Sequence, residues 1–375
     1  MAEYLTNTTD LTKVASAIRE KGGTTDSLVY PDGFVTAIQA IQTGTELQII
    51  VTVESGATVT ATKESLSVSG TSVNGTCTLT VPETGTWSVS ATLDGQTSDT
   101  KTVSITGRYA VALLFASSTL NNNEWSVIKS VSDAGQGANY WSIGDRKEVT
   151  LNGTVGHLSL SNYTTYAFII GFNHNQELEG TNRIHFQLAK TALSGGTDIA
   201  LCDSDYGYSA SATGYFSMNS GDTTSGGWER SQMRTNICGT SLSSYSGTII
   251  AVIPAALRTV LKSVTKYTNN QGKGSYNENA VTATTDYFFL LSEYEVFGSG
   301  TYANHSESSK QAQYSYYSAG NSKVKHNHSA TSTTVVWWLR SPCVDYERFV
   351  NVVNNGTVDF SYPQSSLGFA PGFCV

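Results

Sequence analysis

Few residues in this chain stand at spacings that could do chemistry. His305-x-Glu307 followed by Pro342-Cys343 imitates a zinc deaminase pattern, in which His and Cys hold the metal and Glu moves the proton. That pattern needs a second thiol at 346, where Tyr346 stands. His326-x-His328 puts two imidazoles on one face of a strand, but no neighbouring acid or thiol completes a ligand set, so solvated loop histidines are the expectation. Asp203-x-Asp205-x-Gly207 opens like a calcium loop and lacks the remaining oxygens; a turn with capping carboxylates suits it better. There is no G-x-S-x-G elbow, Walker loop, H-E-x-x-H or G-x-G-x-x-G after a strand. With 30 acidic residues, a carboxylate pair for glycoside hydrolysis can be drawn almost anywhere and decides nothing. No catalytic residue, metal or cofactor is expected.

The composition points to binding rather than catalysis. Charged residues are 14% of the chain, against about 25% in an average soluble protein. The net charge of -8 argues against a surface built to neutralise phosphates, so no nucleic-acid partner is expected. Abundant Gly, Tyr, Ser, Thr and Asn suit a β-rich surface that binds through rings and hydroxyls. The five cysteines are scattered without a C-x-x-C pair, and no disulfide scaffold is implied. The start, MAEYLTNTTD, lacks a secretory pattern, and apolar runs such as Tyr109 to Ala116 are too short to span a bilayer. Synthesis in a reducing cytoplasm without membrane insertion is expected, with any work outside the cell requiring lysis or a non-Sec route.

A chain of 375 residues suggests two or three domains. Residues 1–44 read as a short helical hairpin: Leu11, Val14, Ala15 and Ile18 share one face, Gly22-Gly23 is a stop, and Phe34, Ala37, Ile38 and Ile41 form a second face after Pro31-Asp32-Gly33. Too small to stand alone, it reads as an attachment module. Residues 45–106 alternate (Ile49, Val51, Val53; Cys77, Leu79, Val81; Trp87, Val89, Ala91), with turns at Asn74-Gly75 and Asp94-Gly95, as in an all-β immunoglobulin-like sandwich with Trp87 in its core. Residues 107–375 mix strand-like runs (Tyr109 to Ala116, Tyr166 to Phe172, Arg183 to Leu188, Thr248 to Ile253, Tyr287 to Leu291, Thr334 to Leu339) with Gly/Ser/Asn-rich loops. Helices are expected after Pro254, through Leu257, Val260, Leu261 and Val264, and over Trp228 to Ile237, giving an α+β domain.

Within that domain, Trp337 to Pro342 and Gly368 to Val375 are apolar and look structural. Between them, residues 343–367 show no single period. Asp345, Tyr346, Glu347, Arg348, Phe349, Val353, Asp359, Phe360, Ser361, Tyr362 and Gln364 lie around Asn354-Asn355-Gly356. Aromatics, an Arg and acids on two short loops compose either a binding surface or a Tyr-rich β-edge that merely packs.

Several ordered motifs resemble a known family. Trp141-Ser142-Ile143-Gly144-Asp145, Phe168 to His174, Gly226-Gly227-Trp228 with Ser231 to Arg234, Phe289 to Gly298, Trp337 to Pro342 and Gly368 to Val375 resemble a C-type-lectin-like domain of gut bacteria and their phages. Some members of that family are target proteins of diversity-generating retroelements. Ala17 to Gly23 also resembles segments of phage tail structural proteins. The resemblance implies a C-type-lectin-like fold that holds residues 343–367 as variable-type loops on a stable frame.

Adenine-directed rewriting of Asn codons reaches Cys343, Val344, Asp345, Tyr346, Arg348, Phe349, Val353, Asp359, Phe360, Ser361, Tyr362, Pro363, Ser365 and Ser366, but not Glu347 or Gln364. The usual Glu-Pro-Asn sugar-binding tripeptide is absent, and calcium-dependent sugar binding is not assumed. The implied protein is a non-enzymatic receptor-binding component of a phage tail, located in the virion and made in the host cytoplasm. Its expected partners are a host bacterial surface receptor (protein or glycan) and other phage tail proteins. A homo-oligomer is expected, a trimer by analogy with tail fibres. The alternatives are a bacterial surface adhesin and a glycan hydrolase.

Overall fold

The computed structural model describes residues 8–22, 27–30, 33–35, 37, 46–207 and 215–375. The chain is β-rich, with several separate sheets, and divides into two compact units, Met1–Phe115 and Ala116–Val375. Among the described residues, no helix is long and apolar enough to cross a membrane.

In the first unit a helix spans Thr8–Gly22. Its Ala15 and Ile18 are buried with Phe34, and Leu11, Leu28 and Ala37 pack around them. Val14, expected on the apolar face, is exposed. Ile38, Ile41 and the Pro31-Asp32 pair lie outside the described residues.

Eight strands follow: β1 Gln48–Thr52, β2 Thr58–Lys63, β3 Leu66–Thr71, β4 Thr76–Thr80, β5 Gly85–Leu93, β6 Gln96–Thr97, β7 Lys101–Ile105 and β8 Arg108–Ala112. They form one sheet ordered β4-β1-β8 and a second ordered β3-β2-β5-β6, with β7 also pairing β5. The inward residues of the alternating runs make one core, in which Trp87 is fully buried and donates Nε1–H to the Glu83 carbonyl at 3.2 Å. The strand in Tyr109–Ala116 belongs to this unit, not to the C-terminal one: β8 lies parallel to β1, with Gln48 opposite Arg108. The boundary therefore falls after Phe115 rather than at 107, because β8 completes the hydrogen bonding of β1 on the side away from β4.

The second unit contains β9 Arg146–Val155, β10 Leu158–Phe172, β11 Ile184–Lys190, β12 Ile199–Ala200, β13 Val264–Asn269, β14 Val281–Asp286, β15 Phe288–Phe289, β16 Lys325–Asn327, β17 Ala330–Val335, β18 Trp337–Pro342, β19 Phe349–Val352, β20 Val358–Ser361 and β21 Gly372–Cys374. Its largest sheet has the order β15-β21-β11-β10-β9, so the C-terminal strand is an interior strand.

Two expectations change here. Thr248 to Ile253 is not a strand, since Ile249–Val252 forms a helical turn, and the helix after Pro254 ends at Arg258. Arg258 supplies the reason. Its guanidinium donates to the carbonyls of Ile250, Ala251 and Ile253 at 2.8, 3.1 and 2.9 Å, satisfying the orphan acceptors of the first turn. Val264 instead opens β13, which pairs with β14. The helix expected over Trp228 to Ile237 is a short π-helix, Met233–Cys238.

Candidate recognition surface

The segment 343–367 is held at both ends by buried chain. All residues of β18 are buried; Trp337 Nε1 donates to the Lys323 carbonyl and Trp338 Nε1 to that of Phe216, each at 2.9 Å. The terminal run Gly368–Val375 is also buried throughout, with β21 inserted between β11 and β15. Gly368 joins the two flanks: its N–H donates to the Val336 carbonyl at 2.8 Å, and its carbonyl accepts from Trp338 N–H at 3.0 Å.

Between the flanks, β18, β19 and β20 form an antiparallel sheet. The β19–β20 turn is closed by Asn355, whose Oδ1 accepts from the Thr357 N–H and hydroxyl at 3.0 and 2.7 Å. Gly356 sits there at φ +88°, a conformation glycine adopts without steric cost. The loop before β19 is pinned from outside: Val344 N–H donates to the Tyr302 carbonyl (3.0 Å), and the Val344 carbonyl accepts from Gly274 N–H (2.7 Å).

Onto this backbone the expected residues divide. Asp345, Tyr346 and Tyr362 are exposed, Tyr346 by 51% and Tyr362 by 38%. Phe360, Asp359, Val353 and Gln364 are half-buried. Tyr346 stacks on Phe360 with ring centroids 5.0 Å apart, and Tyr302 meets Phe360 edge-on at 4.9 Å. Tyr276, itself 57% exposed, donates its hydroxyl to Asp345 Oδ1 at 2.7 Å. The Arg348 guanidinium lies 3.2 Å from the centroid of Tyr362 and pairs with Asp222 at 3.1 Å.

Three of the expected contact residues are corrected. Phe349 is fully buried, since β19 is the middle strand of its sheet. Ser361, opposite Phe349 in the register, is buried and accepts from Asn351 Nδ2 at 2.7 Å. Glu347 is a fixture of the frame: one carboxylate oxygen accepts from both the N–H and the hydroxyl of Thr224, at 2.8 and 2.9 Å. Cys343, Val344, Pro363, Ser365 and Ser366 are buried as well. The adenine-reachable positions are thus not all surface positions.

Sequence reasoning missed Tyr276, Tyr302 and Asp222, which join the patch from far along the chain, and the buried Thr224, which holds Glu347. It also missed a buried charge network beneath β18. Lys266 Nζ donates to Glu179 (2.7 Å), Glu295 (2.8 Å) and the Tyr314 hydroxyl (2.8 Å), while Arg340 clasps both oxygens of Glu295 and donates to Thr268 Oγ1 at 2.8 Å. One signal was legible: Ser292-x-x-Glu295 is a capping box, and Ser292 and Glu295 do cap the helix Glu293–Phe297.

Burial tends to raise Glu295, but Arg340 and Lys266 overcome it and hold the carboxyl well below its usual range. For Glu179 burial outweighs Lys266 and pushes it up to about 7. Glu307, buried with Ser341 and Gln311 donating to it, is likewise pushed up to about 7 by burial. Burial, then Lys266, lowers His174 to about 3 and His185 well below the usual imidazole range.

Metal-ligating atoms do converge here: one atom each from His174, Glu179 and Glu295 lie within 4.8 Å of one another. The Lys266 ammonium already bridges the two carboxylates, so an added divalent ion would meet a like charge in a buried site. Asp203 closes a turn, accepting from Asp205 N–H and Ser366 Oγ on one oxygen and from Phe216 N–H on the other. His328 Nδ1 accepts from Cys202 N–H at 3.2 Å.

Residues 211–375 match a family described as a domain of unknown function (DUF6273). No curated protein matches the chain. The matched part contains the whole of the surface and both of its flanks.

Proposed function

We propose that the chain is a phage tail-associated receptor-binding protein that recognises a host cell-surface ligand through the exposed positions of the segment 343–367. In this reading the first unit contains an attachment module and an immunoglobulin-like spacer. The second is a C-type-lectin-like domain and a candidate target of a diversity-generating retroelement. The observation that carries it is the contrast within one short segment: Asp345, Tyr346 and Tyr362 face solvent while β18 and Gly368–Val375 are wholly buried. Side chains on such loops can change without unfolding the domain, because solvent-facing substitutions usually shift stability by less than about 0.5 kcal/mol. Exposed tyrosines supply stiff contact area, and repeated copies in an oligomer would strengthen weak single contacts.

The test is adhesion of the labelled full-length chain to a panel of gut bacterial cells. The expected result is binding to some strains, weakened at least tenfold by Tyr346→Ala with Tyr362→Ala while the near-UV circular dichroism is unchanged. Adhesion that survives the double substitution would refute the assignment of the surface.

A further inference from the structure

Outside the 343–367 segment, three stretches of the second unit enclose a cavity of about 410 Å³: residues 118–121, the turn 144–146 that leads into β9, and the loop 193–195 after β11. Its walls are tied down. Gly144 N–H donates to the Ile169 carbonyl at 2.8 Å and the Asp145 carbonyl accepts from Ile169 N–H at 3.0 Å, which fixes the turn to β10. Three polar side chains that line the cavity share one arrangement, in which one atom is held by the backbone and the rest of the polar head is left over. Arg146 Nη1 donates to the carbonyls of Ala192 and Gly195, each at 2.6 Å, and so joins two of the walls. Asp145 Oδ2 accepts from Ser142 N–H at 2.9 Å, and Asn121 Oδ1 accepts from Glu148 N–H at 2.8 Å. Among the described residues, Arg146 Nε and Nη2, Asp145 Oδ1, Asn121 Nδ2 and the hydroxyls of Ser118 and Ser194 have no hydrogen-bond partner. Asp145 and Arg146, although consecutive, pair neither with each other nor with another charged group among those residues. Side chains fixed at one atom and unspent at another are preorganised for a ligand.

We infer that this cavity is a saccharide site, separate from the 343–367 surface, that takes one or two neutral sugar rings. The opposite charges decide the class. An anionic ligand would meet the Asp145 carboxylate, a cationic one the Arg146 guanidinium, and an apolar one would strip water from both without replacing it. A sugar hydroxyl both donates and accepts, so neighbouring hydroxyls of one ring can serve the carboxylate and the guanidinium together. Asn121 Nδ2 adds a donor, and the two serine hydroxyls fit either role. Leu193, 45% exposed on the rim, offers apolar surface to the C–H face of the ring. The volume lies at the small end of the range for small-molecule sites, about 300–1,000 Å³, which limits the ligand to a mono- or disaccharide.

The probes are methyl glucoside, methyl galactoside, methyl mannoside, maltose and lactose, with methyl glucuronide as the anionic comparison. Each is titrated into the full-length chain and followed by saturation-transfer difference NMR. At least one neutral sugar should bind, and more tightly than the glucuronide. Two variants then test the place. Asp145→Asn keeps an oxygen for Ser142 N–H but turns the other carboxylate atom into a donor, and Ser194→Trp fills the cavity from an exposed loop position. Each should weaken the sugar at least tenfold with the near-UV circular dichroism unchanged, whereas Glu177→Gln, an exposed acid on another element, should not. The inference is overturned if none of the five neutral sugars binds, if the glucuronide binds more tightly, or if binding is equal in wild type and both variants. Sugar binding that survives both variants and disappears in Tyr346→Ala with Tyr362→Ala would also overturn it, and would assign the saccharide to the 343–367 surface instead.

Discussion

Replacing Glu307 by Gln should change how the second unit's stability depends on pH. Glu307 is fully buried between β13 and β18: Oε1 accepts from Asn269 N–H at 2.8 Å, and Oε2 from Gln311 Nε2 and Ser341 Oγ at 3.0 and 3.2 Å. Burial raises its folded pKa from 4.5 to about 7. The folded state therefore binds the proton more tightly than the unfolded state does. At about 1.4 kcal/mol per tenfold, the difference is worth about 3 kcal/mol. Its sign is fixed: that stability is present below pH 4.5 and is lost as pH rises through 7. His174 works oppositely. Its folded pKa of about 3 lies below the usual 6.5, so its stabilisation is present above pH 6.5 and is lost as pH falls toward 3.

Because the two trends partly cancel in the wild type, the informative quantity is a difference between proteins. Urea unfolding is followed by tryptophan fluorescence, at pH 4.5 and pH 8, for wild type and Glu307→Gln. The stability of the variant relative to wild type should be higher at pH 8 than at pH 4.5 by about 3 kcal/mol, since the variant has no acid to ionise. A relative stability that does not change between the two pH values would refute the account of Glu307 as an acid kept protonated by burial.

Two further substitutions probe the frame. Arg340→Met removes the partner of Glu295 and leaves a buried carboxylate short of counter-charge, so the second unit should lose about 3–5 kcal/mol in denaturant unfolding. Gly227→Ala places a Cβ 2.1 Å from the Asn269 carbonyl oxygen at a backbone φ of +52°, and should cost about 3 kcal/mol by the same measurement. It should also disturb Thr224, which holds both Gly227 N–H and Glu347.

Much of the fold was legible because it rests on local periodicity. The alternation over Ile49–Val53 and Cys77–Val81 gave strands β1 and β4, and the buried phase of Trp87 was readable from its neighbours. The Asn-Gly turn between β19 and β20 was readable from its residue types, and the flanks of the surface from their apolar runs. Over Thr248 to Ile253 apolar content misled: the run became a helical turn because Arg258 satisfied its carbonyls.

The surface itself was half legible. Composition placed acids, an arginine and rings between 343 and 367, but could not say which faced outward. Burial of Phe349 and Ser361 follows from β19 being flanked on both sides, and Glu347 turned inward because Thr224, over a hundred residues earlier, offered two donors to one oxygen. Tyr276 and Tyr302 join the patch through contacts across the chain. The sequence by itself determined the alternating strands of the first unit, the turns between them and the two apolar runs that bracket the exposed segment, because those depend on neighbours within a few residues. Which side chains meet solvent, and which charged groups are buried together beneath β18, only the tertiary structure decided, because both depend on groups brought together from distant parts of the chain.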